Sequence, residues 1–310
     1  MTAHLHAFGA FLPERVVANA ELAERLGCTS EWIAKVSGIQ ERRWAAPETT
    51  VADMAIAAAE DCLGKAGIAA STLGMLIVAS GSGARGFPGP AAEVAARLGM
   101  DSAPALDLPI ASAGSLFGLA LAMQMTEIYG DVLVVGAEKM SAVIQTEPLD
   151  QNTAILFGDG AGAVLVSART GRWRMLDAIL HTDGQYRGDL ALEGTGPLRM
   201  NGLTVILQAA RKMPASITEV LERQNISAQQ VSVFLLHQAN LNLLTRVGKA
   251  LGVRPETVFS NVQRYGNTSS ASMLIAASEW VAGNPEPGPI VFSAFGAGFH
   301  WGAIVADART

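Results

Sequence analysis

Short apolar runs alternate with longer helical stretches along the first half of the chain. Residues 73–79 and 131–135 are almost continuously apolar, whereas residues 51–66, 89–98 and 115–129 have the length and composition of helices. A short apolar run of this kind predicts a strand that is buried on both faces. Buried strands separated by helices are typical of an α/β protein, and we expect a mostly parallel sheet.

The succession of strand, loop and helix occurs twice in the chain. Residues 73–100 and 231–253 both run from strand to helix and end on Leu-Gly followed by an apolar residue. Further along, residues 154–167 and 289–307 each combine a strand with a Phe-Gly loop. We interpret this repetition as an internal duplication joined near residue 170, the alternative being the coarse likeness that any two βαβ segments share.

The duplication carries a geometric prediction. It aligns Leu98 with Leu251, a separation of 153 positions, and the counterpart of Ser112 then falls two residues before Asn267. Both residues lie at a turn from strand to helix, and a pseudo-twofold axis between the halves would make these turns face each other. His237 follows its own apolar strand, at the carboxyl end where α/β sheets bind ligands. The three polar side chains are therefore predicted to converge on one cleft.

Each of these residues also has a simpler interpretation. A serine at the start of a helix is usually an N-cap, and Ser112 alone would be interpreted that way. A histidine after an apolar strand, such as His237, is most often a hydrogen-bonded core residue. Asn267 lies in Tyr-Gly-Asn-Thr-Ser-Ser, a sequence typical of a turn. The coincidence of all three at equivalent or neighbouring places is what favours a catalytic site.

Composition narrows the classes of protein. Half of the 310 residues are hydrophobic, 16% are charged and the net charge is −6, which argues against a nucleic-acid binder. Cys28 and Cys62 are the only cysteines and form no CxxC or Cys/His cluster, so we expect no metal site and a reducing, cytoplasmic setting. No apolar run reaches the roughly 20 residues that cross a bilayer, and the N-terminus lacks the pattern of a signal peptide. We therefore expect no membrane association.

Seven segments, spread in order over nearly the whole chain, match one enzyme family. They are EWIAKVSGIQERR (31–43), VVGAEKMS (134–141), FGDGAGAV (157–164), HTDG (181–184), HQAN (237–240), YGNTSSAS (265–272) and FGAGFHWG (295–302). The chain resembles β-ketoacyl-acyl carrier protein synthase III of the thiolase superfamily and its relatives in polyketide pathways. The resemblance implies an α/β thiolase-like fold of two duplicated βαβαβαββ halves, stacked as a five-layer α-β-α-β-α sandwich. Residues 1–170 would supply the nucleophile and the dimer interface, and residues 171–310 the histidine and the asparagine.

The resemblance assigns roles to the three polar residues. The family's HQAN histidine falls on His237 and its GNTS asparagine on Asn267. The family's nucleophile is a cysteine in Ala-Cys-Ala/Ser-Gly, and the chain reads Ala-Ser-Ala-Gly there, so Ser112 occupies the nucleophile position. The resemblance also implies an oxyanion hole made by the backbone N–H groups of Ser112 and Ala297.

With a serine at the nucleophile position, the sequence does not decide which reaction the chain catalyses. A family member takes an acyl group from a thioester onto its nucleophile and condenses it with a malonyl thioester to a 3-oxoacyl product, an acyltransferase reaction of fatty acid biosynthesis. A hydroxyl is a far weaker acid than a thiol, so Ser112 needs a general base, for which His237 is the visible candidate. Because an oxygen ester is less electrophilic, the alternative is a starter-unit acyltransferase that passes on the acyl group without decarboxylative condensation. An engineered Cys→Ser ketosynthase and a non-catalytic partner subunit are further hypotheses.

The substrates implied by the resemblance are thioesters of coenzyme A or of acyl carrier protein, with no cofactor. The family's arginines that contact the coenzyme A nucleotide fall on Val36 and Gln151, and the arginine that closely follows HQAN falls on Asn242. The segment between residues 167 and 200 is shorter than in typical members, so acyl chain length cannot be carried over. The positions that match substrate-contacting residues of the family are Trp32, Phe87, Leu156, Phe157, Phe295 and Gly296.

Two kinds of protein contact are also expected. An acidic acyl carrier protein would need a basic patch on this acidic enzyme. Its candidates are Arg211, Lys212, Arg246 and Lys249, the alternative being scattered solvated charges. The family is homodimeric through strands of the first half, with the residue matching Phe87 reaching into the partner's acyl tunnel, and we expect a homodimer here.

Overall fold

The computed structural model describes residues 2–83, 86–144, 149–194 and 196–308. Its strands are β1 (His4–Phe11), β2 (Val16–Ala18), β3 (Glu41–Arg43), β4 (Met75–Ala79), β5 (Ala105–Leu108), β6 (Val132–Lys139), β7 (Asp159–Ser167), β8 (Trp173–Thr182), β9 (Leu190–Ala191), β10 (Arg199–Met200), β11 (Val233–Leu236), β12 (Pro289–Gly296) and β13 (His300–Asp307). Its helices are α1 (Asn19–Leu26), α2 (Ser30–Ser37), α3 (Val51–Ala66), α4 (Pro90–Arg97), α5 (Gly114–Tyr129), α6 (Met140–Ile144), α7 (Gln151–Ala154), α8 (Gly202–Arg223), α9 (Leu241–Leu251), α10 (Val262–Tyr265) and α11 (Ser272–Ala282). Within the described ranges, no helix combines the length and the apolar character needed to span a bilayer.

The main sheet contains the same strand order twice. It runs β11-β12-β13-β8-β1-β7-β6-β4-β5, and β1 meets β8 through just two residue pairs. On one side of that contact the order is β1-β7-β6-β4-β5, and on the other it is β8-β13-β12-β11, followed by an isolated parallel bridge from Phe234 to Val258. In both sets the first two pairings are antiparallel and the next two are parallel. This repeated order agrees with the internal duplication that the sequence predicts.

The prediction of a mostly parallel sheet was wrong. Only the pairings β11–β12, β4–β6 and β4–β5 of this sheet are parallel, and the other strand pairs are antiparallel. The reason lies in burial, because parallel β4 and antiparallel β7 are both buried along their whole length. An apolar run therefore reports burial on both faces and not the direction of the neighbouring strand.

The helices lie in three layers around the two halves of the sheet. α3 packs on β1, β6 and β7, and α8 packs on β8, β12 and β13, so each half has its own outer helix. α5 and α11 lie between the halves, since each contacts strands of both. Leu116, Leu274 and Phe292 are fully buried in this central layer, and burial of one such side chain contributes roughly 1.5–3 kcal/mol. The arrangement is the predicted α-β-α-β-α sandwich.

Several predicted elements coincide closely with the observed ones. α3 covers residues 51–66 as predicted, because the side chain of Thr50 and that of Asp53 form a capping box at its first turn. β6 continues to Lys139, beyond the predicted end at residue 135. The prediction ended too early because the strand contains a charged residue near its end, the fully buried Glu138. A charged residue in a buried strand requires hydrogen-bond partners, and this carboxylate has them beside the candidate site.

Candidate active site

One pocket lies where the two halves meet. The sequence-predicted residues that line it are Ser112, Phe157, His237, Asn267, Phe295 and Ala297. The turns that precede α5 and α11 face each other at this pocket, as the internal duplication predicts. Ser115 Oγ at the start of α5 donates to the carbonyl oxygen of Ser270 in the second turn, and Ser270 Oγ donates to the carbonyl oxygen of Ile110 in the first at 2.8 Å.

Ser112 lies in the turn between β5 and α5, two residues before the helix begins. Its φ is 66°, in the left-handed region that a residue with a Cβ rarely adopts, and its side chain is largely buried. The backbone N–H donates to Ser269 Oγ at 2.9 Å. The hydroxyl makes no hydrogen bond to His237 or to any other described residue. The adjoining end of β12 approaches closely because Gly296 has no side chain, since a Cβ there would lie 2.1 Å from the carbonyl oxygen of Ala111.

His237 follows β11 and is held at both its backbone and its ring. Its N–H donates to the carbonyl oxygen of Ser293 at 2.9 Å, and its Nδ1 lies 2.6 Å from Ser272 Oγ. Ser272 Oγ also accepts the N–H of Gln238 at 3.0 Å, so its own proton is available to Nδ1 and the ring proton then lies on Nε2. Burial lowers the pKa of His237 to about 4, and hydrogen bonding with the Ser269 backbone offsets this only in part. The ring is therefore neutral at pH 7 and suited to donate a hydrogen bond from Nε2.

Asn267 lies just after α10, and its carboxamide is oriented by the chain that follows. Its Oδ1 accepts the N–H of Ser269 at 2.8 Å, which leaves Nδ2 as the donor that faces the pocket. Its backbone is fixed to the loop before β7, because its N–H donates to the carbonyl oxygen of Leu156 at 2.8 Å and its own carbonyl accepts the N–H of Gly158. Two oriented donors, Asn267 Nδ2 and His237 Nε2, thus line the pocket that contains Ser112.

A buried carboxylate that the sequence did not single out underlies this site. Glu138 is fully buried, and its oxygens accept hydrogen bonds from both halves of the molecule. Ser269 Oγ donates to its Oε1 at 2.9 Å. The first half contributes the N–H groups of Gly81 and Ser82. The available signal was the pair of charged residues, Glu138 and Lys139, that ends the otherwise apolar strand β6.

The other predicted substrate-contacting residues lie around the pocket at different depths. Leu156 is partly buried next to the lining residue Phe157, and Gly296 is buried next to Ala297. Trp32 is 36% exposed on α2, and Phe87 is 92% exposed and does not line this pocket. The remaining wall is apolar and comes mainly from the β9–β10 hairpin and α8, through Leu190, Leu192, Leu198, Met200 and Val205.

The residues at the family's arginine positions have other contacts here. Val36 is 37% exposed at the end of α2. Asn242 donates from Nδ2 to the carbonyl oxygens of Val36 and Lys35 at 3.0 and 3.2 Å, so its side chain caps that helix from α9. Gln151 is the first residue of α7 and is partly buried.

The four candidate docking cations do not form one surface group. Arg211, Arg246 and Lys249 are exposed. Lys212 is 8% exposed, and its Nζ lies 2.9 Å from Asp183 Oδ2 and 3.8 Å from the centre of the Trp301 ring. Its inclusion in a docking patch was therefore wrong, because α8 directs it inward toward β13.

The amide of Ala297 is the second member of the predicted oxyanion pair. This N–H has no hydrogen-bond partner among the described residues, whereas that of Ser112 is bonded to Ser269. The two amides that the sequence assigns to one role thus differ in their bonding. An apolar pocket with a neutral histidine and an oriented asparagine agrees with the acyl-transferring enzyme that the resemblance implies.

Comparisons with known proteins identify the family. The family model "3-Oxoacyl-[acyl-carrier-protein (ACP)] synthase III" matches residues 106–184, and the model of its C terminal part matches residues 221–308. The β-ketoacyl-[acyl-carrier-protein] synthase III of Staphylococcus aureus strain Newman is 33% identical over 98% of each chain. The chain belongs to the 3-oxoacyl-[acyl-carrier-protein] synthase III family.

Solved structures agree with this assignment. The 3-oxoacyl-[acyl-carrier-protein] synthase III of Aquifex aeolicus VF5 has a TM-score of 0.94 at 33% identity, covering 98% of this chain and 99% of its own. The priming β-ketosynthase of the R1128 polyketide biosynthetic pathway has a TM-score of 0.91 at 30% identity, covering 98% and 95%. The predicted thiolase-like fold and the predicted class, an acyl-transferring condensing enzyme, are confirmed.

Proposed function

We propose that this chain transfers an acyl group from a thioester to Ser112 Oγ and condenses it with a malonyl thioester, releasing carbon dioxide and a 3-oxoacyl thioester. The observation that carries the proposal is the pocket in which Ser112 lies together with two oriented donors, His237 and Asn267. Such donors match the negative charge that decarboxylation develops on the thioester oxygen. The apolar wall of the pocket suits an acyl chain.

Loading is an ester exchange. The Ser112 Oγ–H bond and the C–S bond of the donor break, an oxygen ester forms, and the departing thiolate takes the proton. Ser112 precedes the 16-residue helix α5, whose N-terminus favours negative charge developing beside it. His237 makes no hydrogen bond to the hydroxyl. Because its ring proton lies on Nε2, this nitrogen could act as a base only after a change of ring tautomer.

Condensation uses the second half of the molecule. The malonyl carboxylate leaves as carbon dioxide, and the electron pair passes to the thioester oxygen, where His237 Nε2 and Asn267 Nδ2 each donate a hydrogen bond. The enolate carbon then attacks the Ser112 ester, and the tetrahedral oxyanion accepts from the amide of Ala297. When the C–O bond breaks, Ser112 Oγ takes one proton from solvent and the 3-oxoacyl thioester is released.

The identity of the nucleophile favours a second candidate function. An oxygen ester is less electrophilic than a thioester, so acyl-Ser112 reacts slowly with an enolate. Transfer of the acyl group to another oxygen, nitrogen or thiol acceptor, without decarboxylation, then competes with condensation. In that case Ser112 accepts acyl groups while a malonyl thioester remains intact.

Carriers, assembly and location are part of the same proposal. The donor is a thioester of coenzyme A or of acyl carrier protein, the catalytic groups require no cofactor, and the enzyme acts in the cytoplasm. We expect a homodimer, for which the support in this chain is the large exposed side chain of Phe87. Arg211, Arg246 and Lys249 are the exposed cations available to an acidic carrier.

Mass spectrometry and carbon dioxide release separate the two functions. The intact protein is incubated with a series of acyl coenzyme A thioesters, then with malonyl thioester labelled in the free carboxylate, beside Ser112→Ala and Ser112→Cys. An adduct on Ser112 together with labelled carbon dioxide supports condensation, and an adduct without release supports plain acyl transfer. Absence of any adduct on Ser112 with every donor would refute the role of this serine as nucleophile. A product formed by Ser112→Cys alone would indicate a serine that replaced a working cysteine.

A further inference from the structure

Ser269 forms hydrogen bonds to two members of the candidate site. Its N–H donates to Asn267 Oδ1, and its Oγ accepts the N–H of Ser112. The residue is 1% exposed, and its φ of 47° lies in the left-handed region. A strained residue that joins two functional groups has a geometry that the surrounding structure must impose.

The buried carboxylate of Glu138 fixes the direction of these bonds. Ser269 has one hydroxyl proton, and it donates that proton to Glu138 Oε1 at 2.9 Å. The lone pairs of Oγ are then directed to the N–H of Ser112. Glu138 itself is held by the amides of Gly81 and Ser82, so the chain of bonds is anchored in the first half of the molecule.

We propose that Ser269, held by Glu138, is a positioning residue that keeps the backbone of Ser112 in its left-handed conformation and orients the carboxamide of Asn267. This inference rests on the proposed function, because it assigns Ser269 a role in acyl transfer to Ser112. The physical reason is that a left-handed serine relaxes unless its amide is bonded in place. Ser269 supplies that bond without touching the substrate's reacting atoms.

Matched variants of two adjacent serines test the proposal. Ser269→Ala removes the acceptor of the Ser112 amide, whereas Ser270→Ala removes a buried hydroxyl that joins the same two turns without contacting Ser112. For Ser269→Ala we expect the rate constant of acyl loading to fall about tenfold to hundredfold with little change in KM, since small displacements of reacting groups have effects of this size. Ser270→Ala should load at close to the original rate. Ser269→Cys, with a sulfur of similar position and weaker hydrogen bonding, should lie between them.

A second readout does not depend on acyl transfer. In a Ser112→Cys background, the pKa of the introduced thiol is measured from the pH dependence of its alkylation by iodoacetamide. The N-terminus of α5 should hold that pKa below the ordinary value of about 8.5, and adding Ser269→Ala should raise it toward that value, whereas adding Ser270→Ala should not. Equal values for both double variants, together with equal loading rates, would overturn the proposal. A shift in thiol pKa without any acyl-Ser112 would support positioning by Ser269 while refuting the proposed function.

Discussion

The turn that holds Ser112 and the turn that holds Asn267 occupy equivalent places in the two halves, yet their polar groups are bonded in opposite ways. The hydroxyl of Ser112 has no hydrogen bond to a described residue, whereas the carboxamide of Asn267 is fixed by Ser269. One turn therefore presents a group free to form a bond, and the other presents a donor whose direction is set. The duplicated fold supplies two equivalent turns that differ in their local hydrogen bonds. We therefore expect the first half to carry the acyl group and the second half to stabilise the enolate.

The strongest test of this division is His237→Ala. We expect release of carbon dioxide from a malonyl thioester to fall about a hundredfold to a thousandfold, the effect of removing one donor to a developing oxyanion. Loading of acyl groups on Ser112 should continue, because His237 makes no hydrogen bond to that hydroxyl. Labelled carbon dioxide and the mass of the protein measure the two steps separately.

Asn267→Asp is the matched control for this experiment. The carboxylate retains the shape of the side chain and the acceptor for the Ser269 amide, but it removes the donor and adds a negative charge beside the developing enolate. The same selective loss of decarboxylation is expected. Loss of acyl loading in both variants would show that the second half also activates Ser112, and the division between the halves would then be wrong.

The pKa of His237 gives a second test, on stability. The pKa of about 4 in the folded protein lies below the ordinary histidine value of 6.5, so the unfolded chain binds the proton more readily. The resulting stability is present above pH 6.5 and is lost as the pH falls toward 4, and the shift corresponds to about 3 kcal/mol. Urea unfolding at a series of pH values should show this loss in the original protein and a shallower dependence in His237→Gln. Parallel curves for the two proteins would show that burial does not suppress protonation of this ring.

Ser112→Cys changes the reacting group while its turn is kept. A thiol beside the N-terminus of α5 ionises more readily than a hydroxyl, so we expect acyl loading at pH 7 to rise about tenfold or more. Decarboxylation should change little because its donors, His237 and Asn267, belong to the other half of the molecule. Rapid-quench mass spectrometry measures loading, with Ser112→Ala as the blank. An unchanged loading rate would show that another step, such as access to the pocket, limits loading.

The sequence patterns predict that the three polar residues of the site converge, but they do not predict the hydrogen bonds that hold these residues in place. Ser112, His237 and Asn267 could be predicted because His237 directly follows a strand, because the other two lie at equivalent turns before helices, and because motif and duplication agree. Ser269 and Glu138 could not, because their roles depend on hydrogen bonds between residues that are 131 positions apart. Strand direction escaped prediction for a related reason, since buried strands look alike whichever way they run.

The smallest expected effect concerns the outer helices of the two halves, α3 and α8. α3 contributes mainly alanine and other apolar residues to its core, whereas α8, its counterpart, buries Lys212 against Asp183 and the Trp301 ring. The ammonium group lowers the pKa of the Asp183 carboxyl. For Lys212→Met we expect the melting temperature to fall by about 1–2 °C, as for loss of roughly 1 kcal/mol in a chain of 310 residues, with carrier-protein affinity unchanged. Arg246→Met on exposed α9 should leave the melting temperature unchanged and weaken carrier binding. If Lys212→Met weakened carrier binding at constant stability, the ammonium group would be reachable from the surface and its exclusion from docking would be wrong.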